Sequence, residues 1–280
     1  MTFNRAFFTL TLSAALTASF VSLAVAAEGQ ETPPELKWSF AGVLGKFDRA
    51  QLQRGFKVYR EVCQNCHGLN LLSFRNLAEA GGPGFSPAQA AAVAAEYKIK
   101  DGPNDSGDMF ERPGRVADRF PSPFPNENAA RAANGGAYPP DLSVMAKART
   151  YERGFPWFVL DVLPFLQYQE QGPDYLAALI KGYGPAPAGM TMPAGMSYNK
   201  YFPGHMIGMP QPLQDGQITY DDGTKGTIDQ YAKDVTAFLM WAAEPHMEAR
   251  KRIGIQVLVF LFFFSLLLYF TKKKVWANAH

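Results

Sequence analysis

Residues 63–67 read Cys63-Gln64-Asn65-Cys66-His67, and they contain both cysteines of the 280-residue chain. Two thiols about one turn apart reach the two vinyl groups of a haem, and the histidine that follows presents an imidazole nitrogen to the iron. The same spacing fits a structural disulfide, a cycling thiol pair or half of a zinc site. A zinc site needs two more ligands, and His205 is the one further histidine well inside the candidate domain. A thioredoxin-like pair wants a strand–helix–strand setting, which the pattern around Cys63 lacks. The motif therefore predicts one covalently bound haem c, with Cys63 and Cys66 as its attachment points and His67 as proximal ligand.

Working outward, Asp48 can cap a helix running to Val62, because Leu52, Phe56, Tyr59 and Cys63 recur on one helical face. From Gly81 to Pro140 the chain is broken by Gly, Pro, Asn and Asp, so mostly loop is expected, with one short helix over Pro87–Tyr97. Further helices are expected over Leu142–Arg149 and Asp174–Lys181, then a Gly-, Pro- and Met-rich segment from Gly182 to Pro212. Gln217–Tyr220 before Asp221-Asp222-Gly223 is the best strand candidate and predicts a small hairpin. Thr227 and Gln230 suggest a capping box ahead of an apolar stripe from Ile228 to Ala242, which Pro245 ends or kinks. The expected fold class is mainly α with long loops, which with the haem motif resembles a class I cytochrome c-like domain around one haem, followed by a C-terminal transmembrane helix. A loop-rich domain makes physical sense around a porphyrin, whose apolar surface replaces missing contacts between elements.

Both ends of the chain address a membrane. Residues 1–26 carry one cation, an apolar run and a small-residue ending at Ala24-Val25-Ala26, which predicts a signal peptide. Ile253–Phe270 is an 18-residue apolar run between Arg250-Lys251-Arg252 and Lys272-Lys273-Lys274. At about 1.5 Å per residue it crosses a hydrocarbon core, with the flanking cations at the headgroups. The expected organisation is an exported domain over 27–249, an anchor over 250–272 and a cytoplasmic tail over 273–280. This puts the domain on the periplasmic side of the inner membrane. The exported part keeps 20 basic residues against all 25 acidic ones, although the whole chain is formally +2. That balance and the absence of a long Lys/Arg block argue against nucleic acid and favour a basic partner.

The sixth iron ligand is less determined. Met192-Pro193 and Met209-Pro210 both have the form of a methionine held on a stiff extended segment by the following proline, and local physics leaves them level. A His/Met pair raises the reduction potential and closes the iron to external ligands, as suits an electron carrier, whereas an open site would suit small-ligand chemistry.

Several stretches together resemble the cytochrome c1 family of the cytochrome bc1 complex. They are Arg54-Gly55-Phe56-Lys57-Val58-Tyr59 running into the cysteine motif, Tyr138-Pro139-Pro140-Asp141-Leu142-Ser143, Tyr201-Phe202-Pro203-Gly204, Ile207-Gly208-Met209-Pro210-Gln211-Pro212, Asp221-Asp222-Gly223-Thr224, and Ala232 through Trp241-Ala242-Ala243-Glu244-Pro245. The resemblance implies Met209 as distal ligand, Asn134, Pro139 and Pro140 lining the haem pocket, Arg149 facing a propionate, and Phe202 and Ile207 as apolar walls. It further implies that the chain makes or breaks no substrate bond itself. It would serve quinol–cytochrome c reductase by taking electrons from a Rieske iron–sulfur protein and passing them to a soluble basic c-type cytochrome. Cytochrome b and a dimeric complex complete the implied surroundings. Residues 117–133 and 155–168 depart from the family pattern, and the second cysteine pair that clamps the distal loop in some bacterial members is absent. The rival readings are another membrane-anchored c-type cytochrome and, from a different class, an exported thiol oxidoreductase.

Overall fold

The computed structural model describes residues 31–277 apart from 152, 155, 158–167 and 169. The predicted signal peptide lies outside the described residues, as does most of the aromatic segment 155–168. Among the described residues the architecture is mainly helical, with two small hairpins.

Helix α1 spans Arg49–Glu61, and the Asp48 side chain caps it by accepting from the Ala50 and Gln51 amides. Among the described residues four short helices follow in chain order: α2 (Pro87–Ala95), α3 (Glu127–Ala133), α4 (Met145–Ala148) and α5 (Gln171–Lys181). Helix α6 (Ile228–Ala243) crosses α1 and forms the main packing interface. At that crossing a Cβ on Gly55 would lie 2.1 Å from the Asp234 carbonyl oxygen, so the helices approach to a distance only glycine permits. Leu52, Phe56 and Tyr59 of α1 pack with Val235, Phe238 and Trp241 of α6, together with Phe74 and Phe120, into one aromatic-rich core.

A buried carboxylate pins the same interface. Asp234 is fully buried and accepts from Arg54 Nε at 2.9 Å, Gln51 Nε2 at 3.2 Å and Gln230 Nε2 at 2.8 Å. Arg54 also reaches Asp222 Oδ2 at 2.8 Å, tying the 221–224 turn to α1. A second buried carboxylate, Asp174 of α5, accepts from Trp38 Nε1 at 2.8 Å and the Leu36 amide at 3.0 Å, which docks the N-terminal segment.

Several details differ from the sequence-based expectations. Gln217–Tyr220 forms no strand, because the Ile218 amide donates to the Tyr231 hydroxyl at 2.8 Å and that hydroxyl donates back to the Ile218 carbonyl. Thr227 caps α6, but the Gln230 side chain turns to Asp234, so the expected capping box is half made. The helix expected over 142–149 shrinks to α4, since the Leu142 amide is used by the Gly68 carbonyl and Asp141 Oδ1 accepts from the Ser143 amide. The loop expected over 81–140 contains α3 and an antiparallel hairpin of β1 (Lys98–Asp101) and β2 (Phe110–Pro113), anchored by Arg112 on Asp101 and Asp118.

After Pro245, helix α7 runs Met247–Val275, longer than the expected anchor at both ends. An 18-residue stretch of it has a mean hydropathy of 2.5 and none of it is buried. Helix α7 is long and apolar enough to cross a membrane. The domain holds its base: Glu248 accepts from the Phe47 amide and pairs with Arg49, both at 3.0 Å, and Met247 is buried.

Candidate functional site

Helix α1 ends at Glu61, and the chain tightens into a 3₁₀ turn over Cys63–Asn65. The Cys66 and His67 amides both fold back on the Cys63 carbonyl, at 3.2 and 2.9 Å. That turn folds the Cys66 and His67 backbone back onto Cys63 at the end of a core helix. Both cysteines are free and half-buried, and Cys63 packs against the core. Burial pushes the Cys63 thiol up to about 12, so it carries no thiolate at neutral pH. A cycling disulfide wants the opposite, a depressed thiol.

The His67 ring is fixed by the segment 137–141. Its Nδ1 lies 2.7 Å from the Pro140 carbonyl oxygen, which can only accept, so Nδ1 carries the hydrogen and Nε2 remains the open nitrogen. Burial holds this imidazole below its ordinary range, against the opposing pull of the Pro140 bond and Asp141, which keeps the ring neutral as a metal ligand must be. The Tyr59 hydroxyl donates to the His67 carbonyl at 3.2 Å. Asp141 Oδ2 accepts from the Asn70 amide at 2.8 Å and the Ser143 hydroxyl from the Leu71 amide at 3.1 Å, so the segments after His67 and after Pro140 are laced together.

The same 137–141 segment meets the loop that carries Met209. A Cβ on Gly208 would lie 3.1 Å from the Ala137 side chain, which puts the residue before Met209 against the strip that holds His67. Met209 is half-buried, and the Tyr183 hydroxyl donates to its carbonyl at 3.1 Å. Ile207 is buried in β4 (Met206–Ile207), which pairs with β3 (Ser197–Tyr198), yet it stands apart from the main core cluster. Phe202 is half-buried in the turn between those strands, where His205 adopts φ 61°. Asn134 caps the C-terminus of α3, its Nδ2 donating to the Ala130 carbonyl at 2.7 Å, and Pro139 is half-buried. Arg149 ends α4 as an exposed side chain resting on Met145 Sδ at 3.4 Å. Met240, another available thioether, is buried in the core.

Sequence reasoning passed over Tyr183, for which the local pattern holds no signal. It also passed over the lacing role of Asp141, which the Asp-x-Ser spacing could have revealed as a side-chain turn. Among the described residues no three His, Cys, Asp or Glu side chains cluster as a metal-ion site would require.

A model of the cytochrome C1 family matches residues 38–279. The chain belongs to the cytochrome c1 family. It is 69% identical over 254 residues to a cytochrome b/c1 of Bradyrhizobium diazoefficiens, covering 90% of this chain but 37% of that longer protein. It is 51% identical over 257 residues to a cytochrome c1 of Blastochloris viridis, covering 91% of this chain and 90% of the other. A cytochrome c1 of Rhodospirillum rubrum is 42% identical over 271 residues, with 91% of each chain covered. Cytochromes c1 are haem-binding, electron-transferring proteins, and the donor set here fits that chemistry: two free thiols one turn apart and a neutral imidazole with Nε2 open.

Proposed function

We propose that this chain is the haem c subunit of a cytochrome bc1 complex, taking electrons from a Rieske iron–sulfur protein and passing them to a soluble basic c-type cytochrome. The observation that carries the reading is the His67 ring, fixed at 2.7 Å on the Pro140 carbonyl directly after the cysteine pair. Bound haem c supplies a one-electron couple whose potential His/Met ligation raises. Cys63 and Cys66 would hold it through thioether bonds to their Sγ atoms, His67 would offer Nε2 to the iron, and Met209 would offer its thioether. The contact between Gly208 and the 137–141 segment favours Met209 over Met192.

Asn134, Pro139, Pro140, Phe202 and Ile207 would line the haem pocket, with Ile207 buried and Pro140 exposed. Arg149 has no carboxylate partner among the described residues, so its guanidinium is available to a propionate. The acidic excess, including Asp105 and Asp108 on the β1–β2 hairpin, suits fast, salt-sensitive encounters with a basic cytochrome. The name cytochrome b/c1 carried by one relative supports cytochrome b as a neighbour, and the reading puts both in a dimeric complex. Helix α7 then anchors the chain in the inner membrane with the haem domain on the periplasmic side.

The test is mild-detergent purification of the tagged chain from its own membranes, followed by dithionite-reduced optical spectra and low-temperature electron paramagnetic resonance. Covalent c-type haem together with b-type haem and a Rieske signal is the expected result. A c-type haem alone would point to another membrane-anchored cytochrome, and a colourless protein with two titratable thiols would point to thiol chemistry.

A further inference from the structure

Where the domain meets α7 the structure contains a cleft of about 420 Å³ that the proposed electron path does not use. One wall is the loop 43–46 with Ala80 and Gly81, and the other runs from Pro245 through the start of α7 to Gln256. Lys251 builds the loop: its Nζ donates to the Phe40 and Gly42 carbonyls, both at 2.6 Å, and this holds Val43 and Leu44 outward. These two side chains are 70% and 79% exposed, an unusual state for adjacent aliphatic residues on a rigidly tied loop.

Depth decides what such a tip meets. The cleft is lined by Arg252 and, three residues further along α7, by Ile255, which lies inside the apolar run. At about 1.5 Å per residue that interval is roughly 4.5 Å, the step from a charged collar into the hydrocarbon edge. Val43 and Leu44 line the same cleft as Arg252 and Ile255. Lys46 and Arg252 also line the cleft, both exposed, and neither has an ion-pair partner among the described residues. The acidic side chain in the same wall, Glu248, is already committed to Arg49 and the Phe47 amide.

Two unpaired cations above apolar side chains, continuous with a membrane-crossing helix, match the polarity profile of one kind of molecule. We infer that this cleft binds one anionic phospholipid of the leaflet on the domain's side, its phosphate on Lys46 and Arg252 and its acyl chain against Leu44 and Ile255. The inference rests on the reading that α7 spans the bilayer. The bound lipid would give the domain a second attachment beside α7, limiting its tilt.

Native mass spectrometry of the full chain in its detergent-purified complex, incubated with equal amounts of dioleoyl phosphatidylglycerol and dioleoyl phosphatidylcholine, tests it. The expected result is selective retention of phosphatidylglycerol, weakened roughly fivefold by Lys46→Gln and roughly 25-fold by Lys46→Gln with Arg252→Gln, at about one fivefold step per cation. Equal retention of both lipids, or variants that bind as the parent does, would overturn the site. A photoreactive residue at position 44 should crosslink to lipid, and an adduct with a neighbouring subunit instead would show that protein covers the cleft. Alkaline carbonate wash separates the two readings: release of the chain would refute the spanning helix itself, whereas a chain that stays in the membrane without lipid preference refutes the cleft alone.

Discussion

The α1–α6 crossing and the distal loop over 182–212 both converge on the candidate haem site, yet they are held in different ways. The crossing is redundant: interlocked aromatic rings, a glycine contact and a four-membered network around Asp234 all fix the same geometry. The loop over 182–212 is anchored at its base by buried Asn199, which donates to the Leu179 carbonyl at 2.7 Å, but Met209 itself is positioned by a two-residue strand pair, the close contact at Gly208 and the Tyr183 phenol. On the proposed ligation, the difference teaches that the His67 side is part of the core, whereas the Met209 side is a tether. Damage to the first should unfold the protein, and damage to the second should change the haem while leaving the fold intact.

The largest effect is expected at Arg54. Arg54→Ala leaves the Asp234 carboxylate buried without its cation, at a cost of about 3–5 kcal/mol. Thermal unfolding of the purified chain should register a large loss or failure to accumulate, and an unchanged transition would remove the network from the account. Gly55→Ala comes next, because a Cβ 2.1 Å from the Asp234 carbonyl oxygen must push the helices apart, at about 1–3 kcal/mol. Denaturant midpoints read it directly.

A smaller and more informative change is Tyr183→Phe, which deletes one donor worth about 1 kcal/mol. Its unfolding midpoint should stay near that of the parent, while ferrous haem gains carbon monoxide binding and the potential falls. A variant with parental potential and no ligand binding would show that the tether lies elsewhere. The smallest effect concerns the β1–β2 hairpin. Hydrogen bonding from Arg112 holds the Asp118 carboxyl down to about 2, below an unfolded value of roughly 3.9. A depressed carboxylate contributes stability above its unfolded value, so the anchor is present above roughly pH 4 and is lost as pH falls toward about 2. Amide exchange within residues 98–113 should accelerate over that window while the α1 amides stay protected.

The same contrast explains what was legible in the sequence. Helices α1, α6 and α7 announce themselves by periodicity, by Asp48 and Thr227 as caps, by Pro245 and by the uninterrupted apolar run. The cysteine motif is local chemistry and reads at once. Residues 217–220 were misleading because a tertiary partner, the Tyr231 hydroxyl, takes the backbone groups a hairpin would use. The β1–β2 hairpin was invisible because Lys98–Asp101 and Phe110–Pro113 carry no alternating apolar face, and their pairing is secured by charges across the turn. Choosing between Met192 and Met209 depends on Gly208 meeting Ala137 some seventy residues away, which no local pattern encodes.

The most direct test of the central claim is the mass of the denatured chain and of its tryptic peptide Glu61–Arg75, which contains both cysteines and His67. The account predicts one haem retained after denaturation, located on that peptide, with neither Cys63 nor Cys66 open to alkylation. A peptide of unmodified mass with two alkylated thiols would contradict it.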